Sequence, residues 1–161
     1  SPADRAFVEV KKRMNGIVYQ FREAITRPQA IDLLERNSFE APLGSDLGQF
    51  LNLRELYGAE PIMRVKYMRE AYVSRNADPV RITFDDELQG AVTVDADLSH
   101  GGGDWIPIPM DRMILELKFT NLYPSWVAKL VEEFQLDRIS VPKYVMCIQA
   151  ASRCGALRMA V

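Results

Sequence analysis

Two short segments of the sequence alternate apolar residues with residues that could do chemistry. Arg81, Thr83 and Asp85 are separated by isoleucine and phenylalanine, and Glu116 and Lys118 stand between leucines and a phenylalanine. Because every second residue of a strand lies on the same face, each segment predicts a strand with one apolar and one polar face. Arginine and lysine bind phosphate oxygens, and a carboxylate beside them can hold a divalent cation that accompanies the phosphates.

Similar alternation recurs in three further segments and supplies more charged or polar side chains, namely Glu9, Lys11, Arg13, Gln20, Arg22 and Arg69. One interpretation is a half-exposed antiparallel sheet whose charged face meets solvent, which is the commoner arrangement. The other is a sheet curled into a barrel with a polar lumen. A lumen lined by arginine and lysine would favour a polyanion, and interspersed glutamate would favour a divalent cation bound with it.

Composition excludes several other classes of function. The 161 residues are 48% hydrophobic and 26% charged, which is typical of a globular chain and not of a disordered one. A formal net charge of -2 argues against a nucleic-acid binder that works through bulk charge. With His100 as the single histidine, a metal cluster built from several histidines is impossible, and we expect the chemistry to fall to Arg, Lys, Glu and Asp.

The cysteines and the hydropathy pattern bear on the compartment. Cys147 and Cys154 form no C-x-x-C pair, which argues against a disulfide scaffold or a structural zinc site and fits a reducing compartment. No apolar run approaches the roughly 20 residues that span a bilayer, and no signal peptide is visible. We therefore expect a cytoplasmic chain without a membrane span.

Turn and cap signals divide the chain into a predicted α+β fold dominated by antiparallel strands, in a single domain over residues 1–161. Asn15-Gly16 predicts a hairpin between two strands. Leu98–Pro109 contains three glycines and two prolines and predicts a mobile loop. Strands are predicted over Phe7–Arg13, Ile17–Ile25, Ile62–Ser74, Val80–Glu87, Ala91–Val94 and Arg112–Thr120. Helices are predicted from Thr26-Arg27-Pro28, over 46–57, over Pro124–Phe134 and from Pro142 through Ile148.

Several motifs follow one another in a family-specific order. They are Phe7-Val8-Glu9-Val10-Lys11-Lys12, Tyr67-Met68-Arg69-Glu70-Ala71-Tyr72, Val80-Arg81-Ile82-Thr83-Phe84-Asp85, Leu115-Glu116-Leu117-Lys118-Phe119, Pro124-Ser125-Trp126 and Pro142-Lys143-Tyr144. This set resembles the VTC domain, the polyphosphate polymerase domain of the triphosphate tunnel metalloenzyme (CYTH-like) superfamily. Each motif alone is weak, but the ordered set, with Y-x-R followed twelve residues later by Arg81, is fairly specific and extends to about Ile148.

The resemblance implies a closed antiparallel β-barrel with flanking helices, whose basic tunnel holds ATP, triphosphate or polyphosphate. Carried over by position, the catalytic phosphate contacts would be Lys11, Arg69, Arg81 and Lys143. Lys118 would be a further phosphate-binding residue, and Glu116 would bind Mn²⁺ or Mg²⁺. Such a site needs neither histidine nor a nucleophilic cysteine, since phosphoryl transfer depends on positioning and charge neutralisation.

The sequence departs from the family pattern at two places. The family begins with further strands that carry an R-x-R pair, and from their absence we expect this chain to cover the C-terminal two-thirds of the family domain. The barrel would then be incomplete in this chain, with a tunnel that is open on one side or completed by a second chain, which includes a homo-oligomer. At the second place Pro142 replaces the serine that usually precedes the family's last lysine, so a hydroxyl contact to phosphate is lost.

Three functions are consistent with these residues. The first is metal-dependent synthesis of polyphosphate from ATP. The second is hydrolysis of triphosphate or polyphosphate in the same architecture. The third is a non-catalytic module that binds polyphosphate. The sequence separates the first two poorly because both need the same basic lumen.

Overall fold

The computed structural model describes residues 4–15, 17–35, 40–75, 78–94, 98, 101–120 and 123–157. These residues form four helices and two antiparallel sheets, which confirms the predicted α+β class. The chain divides into two compact units. One comprises residues 1–62 and 93–101, and the other comprises residues 63–92 and 102–161.

A hairpin forms the sheet of the first unit. Its strands are β1 (Arg5–Met14) and β2 (Ile17–Thr26), paired in an antiparallel register. Asn15 adopts a left-handed conformation with φ 49°. The tight hairpin turn that Asn-Gly sequences favour requires this conformation. The predicted hairpin is confirmed, although Gly16 itself lies outside the described residues.

Two capped helices follow the hairpin, as the sequence predicts. Helix α1 (Arg27–Leu34) begins at a capping box in which the Thr26 side chain accepts from the Gln29 amide. Helix α2 (Asp46–Tyr57) begins at Ser45 and ends at Gly58, whose φ of 56° is the left-handed conformation that glycine adopts easily. Both helices contribute to a core that contains Val8, Ile25, Ala30, Leu33 and Leu47.

The second unit is built around a long central strand. Strand β4 (Arg81–Val92) pairs along its whole length with β3 (Met63–Val73). On its other side, β4 pairs with β6 (Ile114–Lys118) at one end and with the short β5 (Ile106–Pro107) at the other. In the described part of the chain neither this sheet nor the hairpin closes into a barrel.

The strand boundaries in this sheet differ from the predicted ones because β4 contains a bulge. The sequence predicted one strand that ends at Glu87 and a separate short strand from Ala91, whereas β4 runs without a break to Val92. The register shifts between Lys66 and Met68, and Glu87 takes a φ of 51°. The bulge adds one residue to β4. The strand therefore continues past Glu87, and the two predicted strands are one.

The glycine-rich segment is anchored along residues 101–109, contrary to the mobile loop that its composition predicted. The Arg64 guanidinium and the Trp105 indole both donate to the Gly102 carbonyl, each at 3.1 Å. The Ile108 amide donates to the Leu88 carbonyl, and the Ile108 side chain is buried. These contacts outweigh the local freedom of the glycines and prolines.

Two helices complete the second unit: α3 (Ser125–Glu133) and α4 (Lys143–Arg153). Helix α4 runs past Ile148, where the sequence placed its end, because buried Ala151 extends its apolar side. It packs on the sheet in a core that contains Met63, Leu88, Ile108, Cys147 and Ala151. Burial raises the pKa of the Cys147 thiol, as suits a small buried hydrophobe. Within the described residues, no helix has the length and apolar character needed to cross a membrane.

Gly90 permits the close approach of α4 to the sheet. A Cβ at this position would lie 2.7 Å from Cys147 Cβ and 3.0 Å from its Sγ. We expect Gly90→Ala to lower the free energy of unfolding by about 1–3 kcal/mol, because the helix must move to accommodate the methyl group. Urea denaturation measures this change.

Gly101→Ala is the matched control for this substitution. A Cβ at Gly101 would have no neighbour within 4 Å. The free energy of unfolding of Gly101→Ala should therefore lie within about 0.5 kcal/mol of the parental value. Equal stability of the two variants would contradict the close packing of α4 on β4.

Candidate functional site

The register of the second sheet gathers the charged residues on one face. Arg69 of β3 lies opposite Asp85 of β4, while Glu116 and Lys118 of β6 lie opposite Thr83 and Arg81. Residues directly opposite each other point to the same side of a sheet. We call this surface the charged face; it consists of Arg69, Arg81, Thr83, Asp85, Glu116 and Lys118.

Helix α4 covers the other half of the same side of the sheet. Gly90 contacts Cys147 of α4 there, although residues 85 and 90 would lie on opposite sides of a regular strand. The bulge at Glu87 shifts the alternation by one residue and brings both onto one side. Lys143, the first residue of α4, therefore lies at the border of the charged face.

Asp85 is the buried centre of this face, since its side chain is 1% exposed. Arg69 donates to both of its carboxylate oxygens, from Nε at 2.5 Å and from Nη2 at 2.6 Å. Lys143 Nζ lies 2.7 Å from Asp85 Oδ2. One buried carboxylate thus holds a cation from the sheet and a cation from the helix in fixed positions.

Electrostatics favour the charged forms of Asp85 and Arg69. Burial alone would raise the pKa of Asp85, but the hydrogen bonds and charges of Arg69 and Lys143 outweigh it and lower the pKa. The hydrogen bond to Asp85 in turn raises the pKa of Arg69. Asp85 is therefore a salt-bridge partner of basic residues in the structure.

Glu116 is the accessible carboxylate of the charged face, with a side chain that is 36% exposed. Its Oε1 lies 3.1 Å from Lys118 Nζ, and its Oε2 lies 3.4 Å from Arg69 Nη2. No group of three or more potential metal ligands of the His, Cys, Asp and Glu types occurs among the described residues. One carboxylate suits Mg²⁺ or Mn²⁺ when substrate phosphates and water complete the coordination, so the residues fit a metal of that kind.

Basic groups outnumber acidic groups at this site. Arg69, Arg81, Lys118 and Lys143 face two carboxylates. Arg81 is exposed and forms no ion pair or hydrogen bond through its side chain within the described part of the chain. The surplus of positive charge leaves Arg81, above all, able to bind an added anion.

Tyr67 is a site residue that sequence reasoning did not single out, although it belongs to the quoted Y-x-R motif. Its ring contacts two cations, with the Arg69 guanidinium 5.0 Å and the Lys143 ammonium 5.1 Å from its centroid. Such cation–π contacts help to fix both cations. The spacing of two residues between Tyr67 and Arg69 was the available signal, since it places both on one side of a strand.

Lys11 lies on the polar side of the hairpin in the first unit. Glu9 is paired there with Lys11 at 3.0 Å and with Arg22 at 3.9 Å, and it accepts a hydrogen bond from Gln20 at 2.6 Å. Glu9 is therefore a salt-bridge partner of basic residues within the hairpin. Lys11 belongs to a different compact unit from the charged face, so its convergence with that face stays a prediction.

Comparison with known proteins gives one match. Searches of curated proteins and of solved structures find no similar chain. The family model described as the VTC domain matches residues 1–152, which is nearly the whole sequence. The ordered motifs and this match agree, and the chain belongs to the VTC domain family.

Proposed function

We propose that the charged face binds the phosphate chain of ATP, triphosphate or polyphosphate, and that the protein uses ATP to extend polyphosphate. The surplus of cations around the buried Asp85 is the observation that carries this proposal. The VTC family assignment supports a polyphosphate-related role. The finer assignment, a metal-dependent phosphotransferase, depends on the chemistry that the residues of this face can supply.

The cations of the charged face differ in how firmly they are held. Asp85 occupies Nε and Nη2 of Arg69, which leaves Nη1 to bind a phosphate oxygen in a fixed geometry. Arg81 can offer its whole guanidinium for a bidentate contact. Phosphoryl transfer depends mainly on positioning and charge neutralisation, and cations that are held before the substrate arrives serve both needs.

Glu116 would hold the metal ion. Bound Mn²⁺ or Mg²⁺ would neutralise charge on the phosphate oxygens during transfer. Because both Glu116 oxygens face cations in the structure, the carboxylate is positioned beside the phosphate-binding groups. Lys118 would be positioned by the same carboxylate and would add a further phosphate contact.

The proposal includes the tunnel of the family. The charged face would form part of its wall, and Lys11 of the hairpin stays a proposed phosphate contact. A closed lumen would exclude water and strengthen each electrostatic contact with the phosphates.

Incubation of the protein with ATP and Mn²⁺ tests the reaction directly. Formation of phosphate polymer supports the polymerase. Release of orthophosphate without polymer would replace it with a hydrolase. Saturable binding of polyphosphate without turnover would leave a binding module, so the three functions give three distinct results.

Arg81 provides the sharpest test of phosphate binding. We expect Arg81→Ala to weaken binding of inorganic tripolyphosphate by about 10-fold, because hydrogen bonds to charged groups are lost and nothing else at this position replaces them. Isothermal titration calorimetry at low ionic strength measures the affinity. Arg138→Ala removes an exposed arginine that lies outside the sheet. This variant should bind tripolyphosphate with the parental affinity. Equal affinities of the two variants would contradict the assignment of Arg81.

A further inference from the structure

Thr83 carries a buried hydroxyl that nothing in the described structure satisfies. The residue is 3% exposed, and its Oγ1 has no hydrogen-bond partner. It lies in the middle of the charged face, between Arg81 and Asp85 along β4, and opposite Glu116 of β6. An unpaired buried hydroxyl lowers stability, so its presence in this position calls for a physical reason.

None of the side chains around Thr83 pairs with its hydroxyl in the structure. Ala71, opposite Thr83 on β3, has no polar side chain. The oxygens of Asp85 are occupied by Arg69 and Lys143. Those of Glu116 face Lys118 and Arg69. Each carboxylate of the face therefore already has cationic partners.

One of these contacts is weak. Arg69 Nη2 and Glu116 Oε2 are 3.4 Å apart, which is long for a charge-assisted hydrogen bond. Because this contact joins β3 to β6, it passes over β4 at the level of Thr83 and Asp85. A phosphate group that replaced Glu116 as the partner of Arg69 would bring an acceptor oxygen to the same place, between two cations and above the hydroxyl.

We propose that Thr83 is a substrate-binding residue whose hydroxyl donates a hydrogen bond to a phosphate oxygen held by Arg69 and Arg81. This inference rests on the proposed function, since it concerns the same phosphate chain. The hydroxyl is a neutral donor among charged ones, and phosphate oxygens supply the acceptor that the free protein lacks. The stability lost in the free state is thus recovered when the anion binds.

Titration of inorganic tripolyphosphate in the presence of EDTA tests this role. We expect Thr83→Val to bind it about 5–20-fold more weakly than the parent, because one hydrogen bond to a charged oxygen is lost. Thr83→Ser keeps the hydroxyl and should bind within about 3-fold of the parent. Without ligand, Thr83→Val should melt at the parental temperature or above, since valine removes an unpaired polar group. Thr93→Val, in the other compact unit, controls for the effect of a threonine-to-valine change on the affinity for tripolyphosphate.

Each other outcome overturns the inference. Parental affinity in Thr83→Val would show that the hydroxyl does not contact the anion. A melting temperature several degrees lower without ligand would show that the hydroxyl is already paired in the free protein. Weakening that occurs only with added Mg²⁺ would assign the hydroxyl to the metal through Glu116.

The proposed function and this inference can fail separately. A parent protein that does not bind tripolyphosphate would overturn both. A parent that binds it and is weakened by Arg81→Ala, while Thr83→Val remains parental, would overturn only the role of Thr83.

Discussion

Replacing Glu116 with glutamine should reduce metal-dependent turnover of ATP by at least about 100-fold, because the accessible carboxylate of the charged face would no longer attract a divalent cation. Glutamine keeps the size and shape of the side chain, so the loss would follow from the charge. Single-turnover rates with ATP and Mn²⁺ measure the effect. Glu133→Gln, on an exposed position of α3, should retain the parental rate.

The same variant separates catalysis from binding. Without metal, Glu116→Gln should bind tripolyphosphate as tightly as the parent or a few-fold more tightly, since Lys118 and Arg69 lose a competing carboxylate. Its folding stability should change by no more than about 1 kcal/mol, because both ion pairs are partly exposed. Turnover at the parental rate would show that Glu116 is not the metal ligand.

Asp85→Asn should be the most destabilising charge substitution on this face. The buried carboxylate joins Arg69 and Lys143, and its loss leaves two cations without their shared partner. We expect the free energy of unfolding to fall by about 2–3 kcal/mol, less than for a fully buried pair because both cations keep some contact with water. Chemical denaturation at pH 7 measures the change. Asp137→Asn, at an exposed position after α3, is the matched control. Its free energy of unfolding should stay within about 0.5 kcal/mol of the parental value.

The difference in unfolding free energy between the parent and Asp85→Asn should depend on pH with a defined sign. The pKa of Asp85 is lower in the folded protein than its usual value of roughly 3.9 in an unfolded chain. Its stabilising contribution is therefore fully present above about pH 4–5 and is lost as the pH falls through the folded pKa. The gap between the parent and Asp85→Asn should narrow in acid. A gap that is constant from pH 7 to pH 3 would contradict the ionic role of Asp85.

The sequence predicted the charged face because alternation in a strand depends on local geometry. Arg81 and Asp85 fall on one side of β4 whatever the strand pairs with, and the same holds for Glu116 and Lys118 on β6. Turn and cap signals are equally local, which is why the hairpin at Asn15 and the start of α1 were predictable.

Features that depend on contacts distant in sequence were not predictable from the residues alone. Lys143 reaches Asp85 only because α4 packs against Gly90, and no local pattern encodes that approach. The alternation placed Arg69 on a strand face, but only the family resemblance made Arg69 and Lys143 candidate phosphate contacts. The unpaired state of Thr83 depends on three neighbouring strands at once. The bulge at Glu87 interrupts the periodicity, so the sequence pattern was misread there as a strand end.

The position of α4 gives the charged face two unlike ends. Beyond Asp85 the same side of the sheet is covered by α4, whereas Arg81 and Lys118 at the other end are exposed. A linear anion that lies along β4 would therefore meet apolar packing at one terminus and solvated cations at the other. The two ends of this surface thus differ, and the direction in which a phosphate chain would lie on it would follow from one inserted residue in β4.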